Sequence, residues 1–108
     1  MGNHVILEAY NVNFNLLNDL NSLLKVIKTS IENINMTILN VYTHKFHPQG
    51  LTILICLAES HVSLHTFPEH GCLSFDAYSC GEKNPKTIAL ELITHLNSSN
   101  YSLREFTR

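Results

Sequence analysis

LTILICLAESHVSLHTFPEHGCLSFDAYSCG, residues 51–81, carries three strand-like runs in succession. Leu51 to Ala58 is almost continuously apolar, the composition of a central strand covered on at least one face. His61 to Phe67 reads as extended, and Cys72 to Ser79 alternates apolar with polar residues, the period-two signature of a half-buried strand. Pro68 and Gly71 mark a turn between the second run and the third. The three middle segments stay distinct or merge into longer strands depending on how the chain turns between them.

Outward from this centre the period changes. Leu16, Leu17, Leu20, Leu23, Leu24, Ile27 and Ile31 recur at steps of three and four, one apolar stripe of a single helix capped by Asn13 or Asn15. His4 to Tyr10 precedes it as a short apolar strand, and Met36 to Phe46 follows as an alternating one, closed by the turn His47-Pro48-Gln49-Gly50. Pro85 suits the first turn of a second helix, whose buried face is Ile88, Leu90, Leu92, Ile93 and Leu96, and Tyr101 to Phe106 ends the chain as a strand. The order β-α-β-β-β-α-β predicts an α/β (α+β) two-layer sandwich, a largely antiparallel sheet with two helices on one face. The expectation is a single domain spanning residues 1–108. A sheet with helices on one face leaves the other bare, and a small domain does not leave a wide apolar face in water, so a homodimer is expected.

The net charge of −2 gives no basic footprint and argues against nucleic acid. The longest apolar run, Leu51 to Ala58, is too short to span a membrane, and the chain opens without a charged region followed by an apolar segment. The expectation is a cytoplasmic protein with no membrane partner. Three cysteines, Cys56, Cys72 and Cys80, form no CxxC pair, and their odd number argues for free thiols. Cys56, mid-strand in an apolar run, reads as inert core.

The chemistry concentrates at Glu59-Ser60-His61. A serine can add its Oγ to the carbonyl of the preceding residue, converting the Glu59–Ser60 amide into an ester; removal of the Ser60 α-proton and β-elimination then break that ester. The fold has to hold Oγ against the carbonyl for this to happen. His65 and His61 are the local bases. Alternate residues of a strand share a face, so the odd spacing from Ser60 to His65 puts them on opposite faces unless a bend or bulge intervenes.

Glu59-Ser60-His61 through Pro68-Glu69 resembles the self-cleavage segment of the small prokaryotic type of S-adenosylmethionine decarboxylase. The resemblance continues in Gly2-Asn3-His4, in His44-Lys45-Phe46 with Pro48-Gln49-Gly50, and in Asp76, Cys80 and Gly81, so that it spans nearly the whole chain in order. It implies a proenzyme that cuts itself into residues 1–59 and 60–108 and turns Ser60 into a pyruvoyl cofactor, with no metal. It implies decarboxylation of S-adenosylmethionine for polyamine synthesis by a homodimer of cleaved protomers. By resemblance, His65 and Thr52 assist processing and Cys80 is the proton donor. Phe46 and Phe67 flank the adenine, Phe46 from across the dimer interface, and Glu69 binds the ribose hydroxyls. Phe67 stands where the family commonly has tryptophan, and His70 and Cys72 where tyrosine is common. Those departures keep open decarboxylation of another amino acid, arginine or ornithine.

Two other classes are weighed beside it. His44, His47, His61, His65, His70 and Cys72 fall within thirty residues and are compatible with a metal-binding module, although their spacing fits no standard zinc pattern. A catalytically dead partner of an active paralogue is disfavoured by the intact Ser60, His65 and Cys80.

Overall fold

A computed structural model describes all 108 residues. Strands β1 (Gly2–Tyr10), β2 (Ile38–Lys45), β3 (Leu51–Leu57), β4 (Ser60–Phe67), β5 (Cys72–Cys80) and β6 (Asn100–Thr107) form one sheet in the order β2-β3-β4-β5-β1-β6. Every neighbouring pair is antiparallel. The middle strands therefore do not merge: β3, β4 and β5 form a meander, joined by the turn at Ala58-Glu59 and by a short 3₁₀ turn at Pro68–His70.

Alternation sorts the side chains. Val5, Leu7 and Ala9 of β1, Ile53, Ile55 and Leu57 of β3, Val62 and Leu64 of β4, and Leu73, Phe75 and Ala77 of β5 point to the helical side and are buried. Against them pack helix α2 (Leu20–Asn33), through Leu23, Ile27 and Ile31, and helix α3 (Lys86–Leu96), through Ile88, Ala89, Leu92, Ile93 and Leu96. Burying each such side chain stabilises the fold by about 1.5–3 kcal/mol, which fixes the strand register, since a one-residue slip would turn this whole set outward.

The first helix differs from expectation. A one-turn helix α1 (Phe14–Leu17), capped by the Asn13 side chain, is separated from α2 by Asn18 and Asp19. Asp19 caps α2 by accepting from the Ser22 amide and hydroxyl, and the Asn18 side chain leaves the helical path to accept from the Gly50 amide at 3.1 Å. Local capping outcompetes the continuous leucine stripe at this point. The sandwich thus carries two long helices and one short one.

Cys56 also differs from expectation. It lies on the bare face of β3 with Leu54, and both are exposed. Alternate positions of this apolar run face away from the helices, so apolar composition alone did not put Cys56 in the core. All three thiols are free. No helix is long and apolar enough to cross a membrane.

Candidate active site

Ser60 is the first residue of β4, and the bond before it closes a two-residue hairpin. Leu57 pairs with Ser60 across that turn, leaving Ala58 and Glu59 as its central residues. Glu59 sits at φ 62°, and Ala58 is not in this region. A hairpin with only its second central residue left-handed is the pattern that favours glycine there. Of the four non-glycine residues at positive φ, the other three are asparagines, Asn11, Asn35 and Asn97, which tolerate it; Glu59 lacks their short polar side chain. Local backbone strain therefore sits at the Glu59–Ser60 bond, at a cost of roughly 1–2 kcal/mol.

The Ser60 hydroxyl accepts a long hydrogen bond, 3.4 Å, from the Cys80 backbone amide. Ser60 and Cys80 face a common hollow of about 510 Å³, with Glu59, Asn35, Glu82 and Lys83 on its wall. The Lys83 ammonium donates to the Asn35 carbonyl, holding the loop after β5 against the end of α2. Beside this hollow the Cys80 thiol hydrogen-bonds Tyr78 and holds its hydroxyl above the ordinary phenol range, with burial adding to the effect; the Arg108 guanidinium lies over the Tyr78 ring at 4.5 Å.

His65 is elsewhere. β4 runs in unbroken register with both neighbours, so there is no bulge to rotate it. Ser60 keeps the parity of buried Val62 and Leu64, whereas His65 is on the bare face with His61. The odd spacing thus separates the two in the uncut chain. His65 is hydrogen-bonded through Nδ1 to the Thr52 hydroxyl, 2.9 Å away on β3. Phe46, Phe67 and Glu69 gather around this pair in a second hollow of about 400 Å³, whose floor is Thr52, His65 and Thr66. Both phenylalanines are exposed, so neither is a plain core aromatic. Positive φ at Gly50 lets the 47–50 turn fold back, and the Phe46 amide donates to the Gly50 carbonyl at 2.8 Å, holding Phe46 beside this hollow.

Between the two hollows lies a polar row whose assembly the sequence did not show. Asp76 accepts from His4 at 2.7 Å and from His61 at 3.1 Å, both through Oδ2, and from the Ser63 hydroxyl through Oδ1. Burial opposes ionisation of Asp76, but these three donors outweigh it and hold its carboxyl below the ordinary range. Next along the face, the Ser74 hydroxyl donates to Glu8 at 2.6 Å. His4 and Asp76 are 72 residues apart, beyond the reach of any local pattern. The His44, His47 and His70 expected in a histidine cluster are not part of this group; it is His4, outside that cluster, that joins His61.

Known proteins share this sequence pattern and this fold. The profile of the S-adenosylmethionine decarboxylase family matches residues 3–108. An S-adenosylmethionine decarboxylase proenzyme of Prochlorococcus marinus (strain MIT 9313) is 41% identical over 109 aligned positions, covering all of this chain and 87% of the relative. One of Brevibacillus brevis is 41% identical over 92, covering 85% of this chain and 69% of the relative. Among solved structures, the adenosylmethionine decarboxylase of Aquifex aeolicus superposes with a TM-score of 0.89 at 27% identity, covering all of this chain and 90% of the other. With a matching profile along its length and relatives at two-fifths identity, the chain belongs to the S-adenosylmethionine decarboxylase family.

Proposed function

We propose that this protein is a self-processing, pyruvoyl-dependent decarboxylase of S-adenosylmethionine, releasing carbon dioxide and the decarboxylated aminopropyl donor used in polyamine synthesis. The observation that carries the reading is the scissile bond itself. A glutamate held in a left-handed conformation immediately precedes a serine whose oxygen is already hydrogen-bonded, at a turn opening onto a hollow that also exposes a cysteine.

Ser60 Oγ adds to the Glu59 carbonyl. The N–C bond breaks, the Ser60 nitrogen takes the hydroxyl's proton, and an ester replaces the amide. The Cys80 amide, donating to Oγ, orients the hydroxyl and eases loss of its proton. Leaving the left-handed turn releases the strain at Glu59. After this shift residue 60 is tethered through its side chain instead of its nitrogen, and the parity of β4 no longer binds it. His65, steadied by Thr52, is our assignment for removal of the Ser60 α-proton at that stage. Elimination frees the Glu59 carboxylate as the end of residues 1–59, and hydrolysis of the remaining dehydroalanine gives ammonia and a pyruvoyl group at position 60.

The residues present fit that group: residue 60 begins a strand, faces a hollow, and has the Cys80 backbone amide beside it, while the Cys80 side chain shares the bare-face parity of Asp76 and Tyr78. The pyruvoyl group supplies an electron sink for the carbon that loses carbon dioxide. Cys80 delivers a proton to that carbon. Phe46 and Phe67 offer faces for a purine, and Glu69 a carboxylate for the ribose hydroxyls, in the hollow at the other end of the open sheet face.

The functional unit in this reading is a homodimer paired through the bare face. Tyr42 and Leu54 are exposed there, and apolar groups on adjacent strands are better covered than hydrated.

Carbon dioxide release measured with S-adenosylmethionine, arginine, ornithine and lysine tests the substrate. Release from S-adenosylmethionine alone is expected. Release from another amino acid without it would overturn the substrate and keep the chemistry.

A further inference from the structure

On the bare face, three adjacent strands aim three ligand-type atoms at one point. His4 is on β1, His61 on β4 and Asp76 on β5 between them, and their ligand atoms all lie within 4.8 Å of one another. The register explains the convergence: both His4 and His61 lie opposite Tyr78, and Asp76 is two residues along the same face of β5. The two imidazoles meet edge to face, 78° apart, so they converge by their nitrogens and do not stack.

We propose that His4, His61 and Asp76 form a binding site for a divalent transition-metal ion of the zinc class, on the face that also carries His65. Two imidazole nitrogens and one carboxylate oxygen are a donor set that zinc and cobalt take, and they leave a fourth position for water. Metal–ligand bonds of about 2.0–2.1 Å put neighbouring donor atoms roughly 3.3 Å apart. The present His4–Asp76 and His61–Asp76 separations, 2.7 and 3.1 Å, need to open by only a few tenths of an ångström. In the single chain the side chains have that freedom, His61 being 48% exposed, Asp76 26% and His4 21%; in a dimer paired through this face the ion lies between the two sheets.

The carboxylate is oriented from behind. The Ser63 hydroxyl holds Asp76 Oδ1, leaving Oδ2 for the two histidines, which is the outer-shell support that metal-ligating carboxylates commonly have. In the metal-free protein both Nε2 atoms meet Oδ2 as hydrogen-bond donors. On binding, each neutral imidazole shifts its proton from Nε2 to Nδ1 and presents Nε2 to the ion, so one cation replaces two hydrogen bonds. A hollow of about 200 Å³ lies in front of the cluster, bounded by Glu8, His65 and Ser74, and gives an ion and its water room to enter.

The test is titration of purified, EDTA-stripped wild-type protein with cobalt(II) chloride, followed by visible absorption, with zinc(II) as competitor. The expected result is one cobalt per chain, ligand-field bands of a nitrogen–oxygen site without a sulfur-to-cobalt charge-transfer band, and displacement by zinc. Asp76→Asn and, independently, the surface change His61→Gln abolish the bands, and Ser63→Ala weakens binding by about 10–100-fold. His44→Ala, outside the cluster, leaves binding unchanged. No cobalt binding by the wild type, a thiolate band, or wild-type affinity in folded Asp76→Asn and His61→Gln proteins would overturn the proposal.

Discussion

At the residue scale two steps are assigned to two different side chains, and substitutions separate them. Cys80→Ala keeps the Ser60 hydroxyl and the residue-80 backbone amide that donates to it. It is expected to cut itself normally and then to turn over about 10²–10⁴-fold more slowly, the usual loss of general-acid help. His65→Ala is expected to stall before elimination, leaving an ester at residue 60 that hydroxylamine cleaves. A Cys80→Ala chain that fails to process, beside a His65→Ala chain that processes and turns over normally, would reverse the two assignments. Glu59→Gly probes the strained turn. Glycine adopts φ 62° without penalty, so the uncut state gains roughly 1–2 kcal/mol and cleavage slows by about 5–30-fold, read as the half-time of fragment appearance. An unchanged half-time would remove strain from the account. Ser60 and Cys80 were legible in the sequence through the motifs around them; the turn between β3 and β4 was not, because Ala58-Glu59 carries neither glycine nor proline. The left-handed Glu59 was not, because that conformation follows from the hairpin closing with two residues, a length set by pairing of Leu57 with Ser60.

At the element scale, period two and period 3.6 marked every strand and both long helices. The break at Asn18-Asp19 was hidden because the leucine stripe continues past it while the decisive bonds, Asp19 to Ser22 and Asn18 to Gly50, involve polar side chains. Cys56 was misplaced for the converse reason: an edge-to-edge apolar run says nothing of which alternate positions the helices cover. The link that binds β1, β4 and β5 on the bare face is Asp76, and it carries a pH signature. Its folded pKa is depressed from the ordinary value of 3.8, so its ionised form stabilises the fold above the unfolded pKa, and that contribution is lost as pH falls through the folded value. In a Ser60→Ala background, which remains one chain, Asp76→Asn is expected to lower urea-unfolding stability at pH 7 and to lose most of that deficit once the pH has fallen through the depressed folded pKa of Asp76. A deficit of equal size at both pH values would show that Asp76 acts by shape and not by charge.

At the scale of the whole molecule, one layer of helices covers one side of a six-stranded sheet, and the other side holds Leu54 and Tyr42 near β3 and the polar row toward β1. The need for a cover was legible from counting helices against sheet faces; the polar row was not, because its members come from opposite ends of the chain. Leu54→Asp places a charge in the middle of the proposed dimer interface. Sedimentation is expected to give twice the chain mass for the wild type and a folded single copy for the variant. A wild-type protein that sediments as one copy would contradict pairing through this face.

The most direct test of the central claim is the intact mass of the purified wild-type protein. The account predicts two fragments, residues 1–59 and residues 60–108, the second without a free amino terminus and with its first residue lighter than an amino-terminal serine by one molecule of ammonia. Ser60→Ala is predicted to remain whole. A wild-type chain that stays at 12.2 kDa, uncut and without decarboxylase activity, would contradict it.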